Sequence, residues 1–548
     1  MGERDRFHSS SGFVMTRGKA LLFVFPVLLA FLFRFPLLAQ RPMHCDEAVH
    51  ADKFGTLLEQ GRYAYSTVDY HGPTLYYMAL ASAKIQGVVR YTDLSETTLR
   101  VVPAATGLVL VAAHFLLIPY IGFPAAFCSA LLMAISPAMV FYSRYYIHET
   151  SFVLFTFGMI LSVFRYARHR SAAPALSAGV CLGLMYATKE TVVIAGACMA
   201  MAAVVVLCLQ RVRGETRLPF TVSGKHLILG AAAAILTAVL FLSSFLSHPA
   251  GIVDSVLAYG TYFERGLGQA TPHVHPWHYY LNLLLYFHEK GRPVWTEILI
   301  VALAIIGGLA AFRKGPPGIS ATVPRFLAVY TLFMVVIYSA IPYKVPWNLL
   351  GFFHGMILLA GVGVIRLLQM LRSPAARAAV VFVLAVAVIH LGWQAWACSF
   401  RYEADPCNPW VYGHTGKDVY TVVRELEGLA RAHTSKLAMP IQIISRENLW
   451  PLPWYLRRFS GVRWVNGVFD SVPNAPVIIA TPDMEAALAR KFYELPPPGQ
   501  RELYMNLFGR YVELRPQVEL RGYVVKSLWD EYQRLEVISD PTSKKIMK

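Results

Sequence analysis

Two acidic side chains, Asp46 and Glu47, stand side by side in MHCDEAVHADKFGTLLEQGRY, directly after the first long apolar run. Carboxylates at the edge of a low-dielectric region suit general-base work on a hydroxyl. The plainer reading is that Asp46 caps an amphipathic helix over about 47–59. Other groups with chemical capacity follow at intervals. YHGPTLYYM carries His71, Pro73 and Tyr76, and TLRVVPAATG carries Arg100 and Pro103. SPAMVFYSRYYIHET carries Arg144 and Glu149, GLMYATKET carries Lys189 and Glu190, and IPYKVPWNLL carries Lys344 and Trp347. A phosphate leaving group gathers negative charge as its bond breaks, and Arg or Lys clamps stabilise it. Arg34 lies inside the first apolar run, about a turn from its end, where an ionisable group is either functional or snorkelling.

HVHPWHYY places His273, His275, Trp277 and His278 within one short stretch. Three imidazoles could hold Zn or Mn. The spacing fits no metal motif, and Pro276 interrupts any helix, so hydrogen bonding to sugar or an interfacial aromatic role is preferred. Trp277, Trp347, Trp410 and Trp454 could stack on sugar rings or sit in an aromatic belt. The chain has no phosphate-binding G-x-x-x-x-G-K-[ST] loop and no G-x-G-x-x-G after a strand.

The elements that must position these residues are membrane helices. The 548 residues are 56% hydrophobic and only 15% charged, against roughly 25% charged in soluble proteins. Mean hydropathy is +0.46. The formal charge of +17 sits in short segments between apolar runs, which speaks for membrane loops and against nucleic acid. Spans of about twenty apolar residues are expected at 20–39, 99–119, 121–139, 150–167, 174–187, 191–209, 226–247, 297–312, 326–341, 348–367 and 378–397. The first is preceded by Arg4, Arg6, Arg17 and Lys19 and has no signal-peptidase exit, which predicts a retained span with a cytoplasmic N-terminus, residues 1–19. Basic clusters at Arg165–Arg170, Arg211–Lys225, Arg313–Arg325 and Arg366–Arg377 then fall on that same side. The apolar segment 73–89 would overturn this agreement if it spanned; it is expected to lie in the interface, within an outer loop over 40–98. Residues 20–397 are thus expected to form the transmembrane domain. Residues 398–548 are richer in charge, with strand-like runs at Ala438–Ile444, Ala475–Ala480 and Gly522–Lys526 and helical patterns at about 415–432 and 482–492. They predict an extracytoplasmic α/β domain. The seven cysteines make no disulfide framework, although Cys398 and Cys407 could pair.

Over residues 20–210 the order of the Asp-Glu loop, the His-Gly-Pro helix, the Arg-x-x-Pro span, the Tyr-Ser-Arg-Tyr hairpin and the Thr-Lys turn resembles the GT-C membrane glycosyltransferases, such as the protein O-mannosyltransferases and the aminoarabinose transferase. HPWHYYLNLL, IPYKVPWNLL, NPWVYGHT and WPLPWYLR further resemble the flippase-activity-associated family. The resemblance implies a polytopic α-helical fold of about 11 transmembrane helices in the cell (inner) membrane. It implies Asp46 as catalytic base, with Glu47 supporting it. Arg144, Lys189, Lys344 and Arg100 would hold the donor phosphate, and His71, Tyr76, Glu149, His275, Trp277 and Trp347 would bind substrate. The implied partners are a polyprenyl-phosphate-linked sugar, a glycan, lipid or protein acceptor, and membrane lipids. No cofactor is required, although a divalent metal is compatible. The alternative is a non-catalytic accessory protein that binds or helps flip lipid-linked sugars.

Overall fold

The computed structural model describes residues 17–67, 71–215, 222–268, 273–313 and 321–539. Arg4, Arg6, Arg217 and Lys314, and most of the amino-terminal segment 1–19, lie outside the described residues. Lipid offers no partner for backbone N–H and C=O groups, so an apolar chain crosses it as helices. Seven helices are long and apolar enough to do so: Glu96–Ile121, Glu149–His169, Val192–Val212, Gly224–Leu242, Thr322–Ala340, Pro346–Met370 and Pro374–Arg401. Four shorter apolar helices, Leu21–Arg34, Phe123–Ile135, Ala172–Tyr186 and Ile298–Ala311, bring the number to eleven among the described residues. Each coincides with one expected span. The segment at 73–89 instead forms a helix of 12 residues, Thr74–Ile85.

The chain divides into two compact units, and residues 1–36, 64–75 and 100–401 form the first. Its helices meet at small residues, as membrane helices do where close packing replaces the hydrophobic effect. Where Ile298–Ala311 crosses Leu350–Met370, a Cβ on Gly307 would stand 2.0 Å from the Leu359 carbonyl oxygen. One on Gly363 would stand 2.0 Å from that of Leu303.

One helix is broken on purpose. Pro137 cannot continue the ladder, so Phe123–Ile135 stops and Pro137–Tyr142 begins afresh. Arg34, fully buried, donates to the freed carbonyls of Ala134 and Met133, both at 2.9 Å. It therefore does not snorkel. On the other side of the break, Glu297 accepts from the Ser136 hydroxyl at 2.7 Å and the Ala138 amide at 2.8 Å.

The second unit comprises residues 37–63, 76–99 and 402–548. Its sheet runs Val462–Val465, Ile441–Ile444, Val477–Ala480, Arg521–Val525, Tyr504–Asn506. The first three strands are parallel and the last two antiparallel to their neighbours. IQII and VIIA are buried along their whole length, as strands covered on both faces must be. Ile441, Ile443, Val477 and Ile479 pack with Val422, Leu426, Leu528 and Tyr532 of helices Asp418–Ala432 and Lys526–Ser539. Ile444, Ile478 and Ala480 pack with Met484, Leu488 and Phe492. The same unit contains the acidic helix, which runs Cys45–Gln60 and is capped by His44. The expectation that Asp46 is the cap is corrected: it occupies the first turn. No disulfide joins Cys398 to Cys407; the Cys398 thiol donates to the Ala395 carbonyl at 3.3 Å.

Arg34→Met should strand the Met133 and Ala134 carbonyls in the bundle, each at a cost of about 1–3 kcal/mol. A clear drop of the thermal midpoint in detergent is expected, and an unchanged midpoint would show the two bonds to be dispensable.

Candidate active site

The two adjacent acids are treated differently by their surroundings. Glu47 is fully buried. Arg41 Nη2 donates to its two oxygens at 3.1 and 3.0 Å, and the His44 amide donates to Oε2 at 2.9 Å. The His44 ring completes a capping box, its Nδ1 accepting from the Asp46 amide at 3.1 Å. Its Nε2 then carries the proton and donates to the Tyr412 carbonyl at 3.0 Å. Asp46 has no such clamp: its side chain is 44% exposed, with Oδ2 3.9 Å from His44 Nδ1. Next to it, burial and then the charge of Asp46 push the Cys45 thiol up to about 12, partly offset by Arg515. That thiol stays protonated and is no nucleophile at neutral pH.

Two carboxy-terminal motifs hold this acidic turn. In NPWVYGHT, Asn408 accepts from the Trp410 amide at 3.1 Å and donates to the Tyr402 carbonyl at 3.0 Å. The turn so formed presents Tyr412 and His414, the latter 3.2 Å from Arg41 Nη1, and Thr415, which donates to the Met43 carbonyl at 2.7 Å. In WPLPWYLR, the Tyr455 hydroxyl accepts from the Met43 amide at 2.8 Å and buried Trp454 donates to Glu96 at 2.9 Å. Trp410 and Trp454 are thus structural, their rings buried within the unit. Tyr76, also buried, meets His50 Nδ1 at 2.9 Å. Arg41, His44, Tyr412 and His414 escape the sequence reading, although each lies in or beside a motif it singles out.

In the first unit, His71 and the Thr-Lys turn lock together. A Cβ on Gly72 would stand 2.1 Å from the Ala187 carbonyl oxygen, which is why His71 is followed by glycine. The Gly72 amide donates to the Thr188 carbonyl at 3.1 Å, and His148 Nε2 meets the Gly72 carbonyl at 2.8 Å. His71 Nδ1 then lies 2.7 Å from Glu190 Oε2 and 3.2 Å from the Tyr262 hydroxyl, while Tyr65 donates to Glu190 Oε1 at 2.7 Å. Burial works to raise the Glu190 pKa, but His71 and the hydrogen bonds prevail and hold it below the usual carboxylate value. Lys189 pairs with Glu149 and reaches Asn348 Oδ1 at 3.3 Å.

The other expected cations divide by partner. Arg144 directs Nη1 at the carbonyls of Phe33, Arg34 and Pro36, at 3.3, 3.0 and 2.8 Å, and lies over the Phe400 ring. It caps the end of the first helix. Arg100 is buried in helix Glu96–Ala113. Lys344 is buried; its ammonium donates to the carbonyls of His275, at 3.0 Å, and Ile341, and meets no carboxylate among the described residues. Burial lowers its pKa. The motifs around 275 and 344 pair as a short bridge, with His275 N–H on the Pro342 carbonyl at 3.1 Å and Lys344 N–H on that of His273 at 2.9 Å. His275 stacks on Tyr279, His273 stands edge-on to Tyr343 and His278 edge-on to Trp277. No metal-ligating trio converges among the described residues. Trp277 is 65% exposed; Trp347 is buried, edge-on to Tyr142.

Glu47→Ala leaves Arg41 buried without its acid and should cost about 3–5 kcal/mol, whereas Asp46→Asn should change stability by no more than ~0.5 kcal/mol. Equal midpoints for the two variants in a thermal scan would refute this division. Glu190 titrates below its unfolded value, so its contribution is complete above about pH 4.3 and fades as pH falls through the lower native value. The stability gap between the native protein and Glu190→Gln should shrink as pH falls below about 4, which thermal scans over an acid pH series would read.

The family model described as Dolichyl-phosphate-mannose-protein mannosyltransferase matches residues 24–250. No curated protein matches the sequence. Among solved structures, the chain is similar to ArnT from Cupriavidus metallidurans bound to undecaprenyl phosphate, with 15% identity and a TM-score of 0.61, over 93% of this chain and 99% of that one. It is also similar to the archaeal oligosaccharyltransferase AglB from Archaeoglobus fulgidus in complex with an inhibitory peptide and a dolichol-phosphate. There the identity is 13% and the TM-score 0.51, over 85% of this chain and 69% of that one. At these identities the likeness is one of architecture: the chain has the fold of the GT-C membrane glycosyltransferases.

Proposed function

We propose that this protein moves a sugar from a polyprenyl-phosphate carrier to an acceptor hydroxyl on the non-cytoplasmic side of the membrane. The observation that carries the reading is the unequal acid pair: Glu47 is spent on Arg41, while Asp46 keeps an accessible carboxylate at the rigid start of a helix. The fold is one that, in ArnT, binds undecaprenyl phosphate, and the mannosyltransferase model covers the segment that contains the pair. Asp46 takes the proton from the acceptor hydroxyl. The freed oxygen attacks the anomeric carbon, the bond from that carbon to the phosphate oxygen breaks, and the configuration inverts. The departing polyprenyl phosphate carries the displaced charge. Of the four candidate cations, Lys344 is the strongest, because a buried ammonium satisfied only by carbonyls has charge to offer an anion. Lys189 is neutralised by Glu149, and Arg144 holds a helix end. A single phosphate leaving against fixed cations needs no metal. The amino terminus would face the cytosol and the unit containing 402–548 the outside of the cell membrane. The acceptor is a glycan, lipid or protein.

Asp46→Asn should lower transfer by about 10²-fold or more while leaving membrane abundance and melting unchanged. Mass spectrometry of glycans and carrier lipids, in cells with the native gene, the variant or no gene, reads this directly. Normal glycans in the variant would remove Asp46 from the chemistry. A shifted carrier-lipid distribution with no glycosidic bond made would establish the non-catalytic accessory role instead.

A further inference from the structure

The second unit has a cleft of about 490 Å³ outside the carboxyl ends of strands Ile441–Ile444 and Val462–Val465. This is the end of a parallel α/β sheet where ligands bind, because the chain leaves adjacent strands there and the loops part. The volume lies within the ordinary range for small-ligand sites, about 300–1,000 Å³. Six side chains give it its chemistry: Ser445, Glu447, Asn448, Trp450, Trp464 and Asn466.

Its polar groups are only partly used. Asn448 Oδ1 accepts from the Trp450 amide at 2.9 Å, which fixes the turn and leaves the amide NH2 open. Ser445 Oγ accepts from the Glu447 amide at 2.9 Å and lies 3.3 Å from Thr481 Oγ1. The Glu447 carboxylate and the Asn466 amide are exposed and have no partner among the described residues. Trp464 is 43% exposed on an edge strand, and no ring stacks on it or on Trp450 among the described residues. No lysine or arginine is among the lining residues, and the Arg515 guanidinium beside them is taken up by the Trp450 carbonyl, at 2.7 Å, and the Asn448 carbonyl, which disfavours phosphate and other anions. An apolar ligand would leave the carboxylate and two amides desolvated without partners. What remains is a ligand with an apolar face for an indole and several hydroxyls at its rim for amide and carboxylate.

We propose that this cleft binds a saccharide, one or two sugar rings stacked on Trp464 with hydroxyls bonded to Glu447, Asn448 and Asn466. The choice of sugar over other uncharged ligands rests on the transferase reading; the cleft's preference for a neutral, hydroxyl-rich ring does not. It would hold the acceptor glycan, or a product, by a unit that is not reacting.

The test uses the full-length protein in nanodiscs, titrated with methyl α-mannoside, methyl β-glucoside, N-acetylglucosamine and their β-linked disaccharides, and followed by saturation-transfer NMR and calorimetry. At least one should bind saturably. Trp464→Ala should weaken it about tenfold, Trp464→Tyr should restore most of the loss, and Glu447→Gln should weaken it several-fold, all with unchanged melting. No binding by any sugar, binding indifferent to both positions, or binding of tetramethylammonium in place of the sugars would overturn the proposal. The two readings fail separately. Saccharide binding lost in Trp464→Ala while Asp46→Asn transfers normally keeps the cleft and sinks the chemistry. Transfer abolished by Asp46→Asn with no sugar bound by the native protein does the reverse.

Discussion

A backbone amide or carbonyl that leaves its helix inside a bilayer must find another partner, and the membrane unit is organised around that demand. Pro137 interrupts a helix among apolar surroundings. The break persists because Arg34 takes the carbonyls on one side and Glu297 takes the donors on the other. The signs match the helix ends: a cation at the carbonyl terminus, an anion at the amide terminus. Arg144 does the same for the end of the first helix. Much of the buried charge in this unit is therefore committed to backbone. Lys344 shares the habit, and as a point charge on two carbonyls it retains capacity for an anion.

Within the other unit, the same economy separates two chemically equivalent acids. A buried carboxylate without a cation would neutralise itself. Arg41 supplies the cation, and the capping box fixes Glu47 and the His44 ring in one geometry. Asp46 inherits the rigidity without the bonds. For the base proposed above, that combination narrows the rotamer choices at the helix start while the oxygens stay open.

The spans were legible because twenty apolar residues between charged loops admit few other solutions, and the eleven helices follow the sequence pattern one for one. Segment 73–89 reads as non-spanning from the charge of loops far from it, and within it Thr74–Ile85 forms a twelve-residue helix. Roles were harder to read than places. An arginine that caps carbonyls and an arginine that holds phosphate have the same neighbours in sequence, as with Arg144. Trp454 and a sugar-stacking tryptophan share a motif, and only burial separates them. The partners of the acidic turn were invisible for another reason: Arg41 and His414 are 373 positions apart, and no periodicity links residues at such a separation.

That separation has a consequence for biogenesis. The acidic helix leaves the ribosome well before Tyr412, His414 and Tyr455 are made. At about 5–20 residues per second, the interval is roughly 20–70 s. During it, Glu47 and Arg41 have each other but not the scaffold that fixes His44 and Met43. The nascent protein must be inserted span by span with this turn unfinished, and the turn at 408–415 and the helix Leu452–Leu456 act as a late clasp on it.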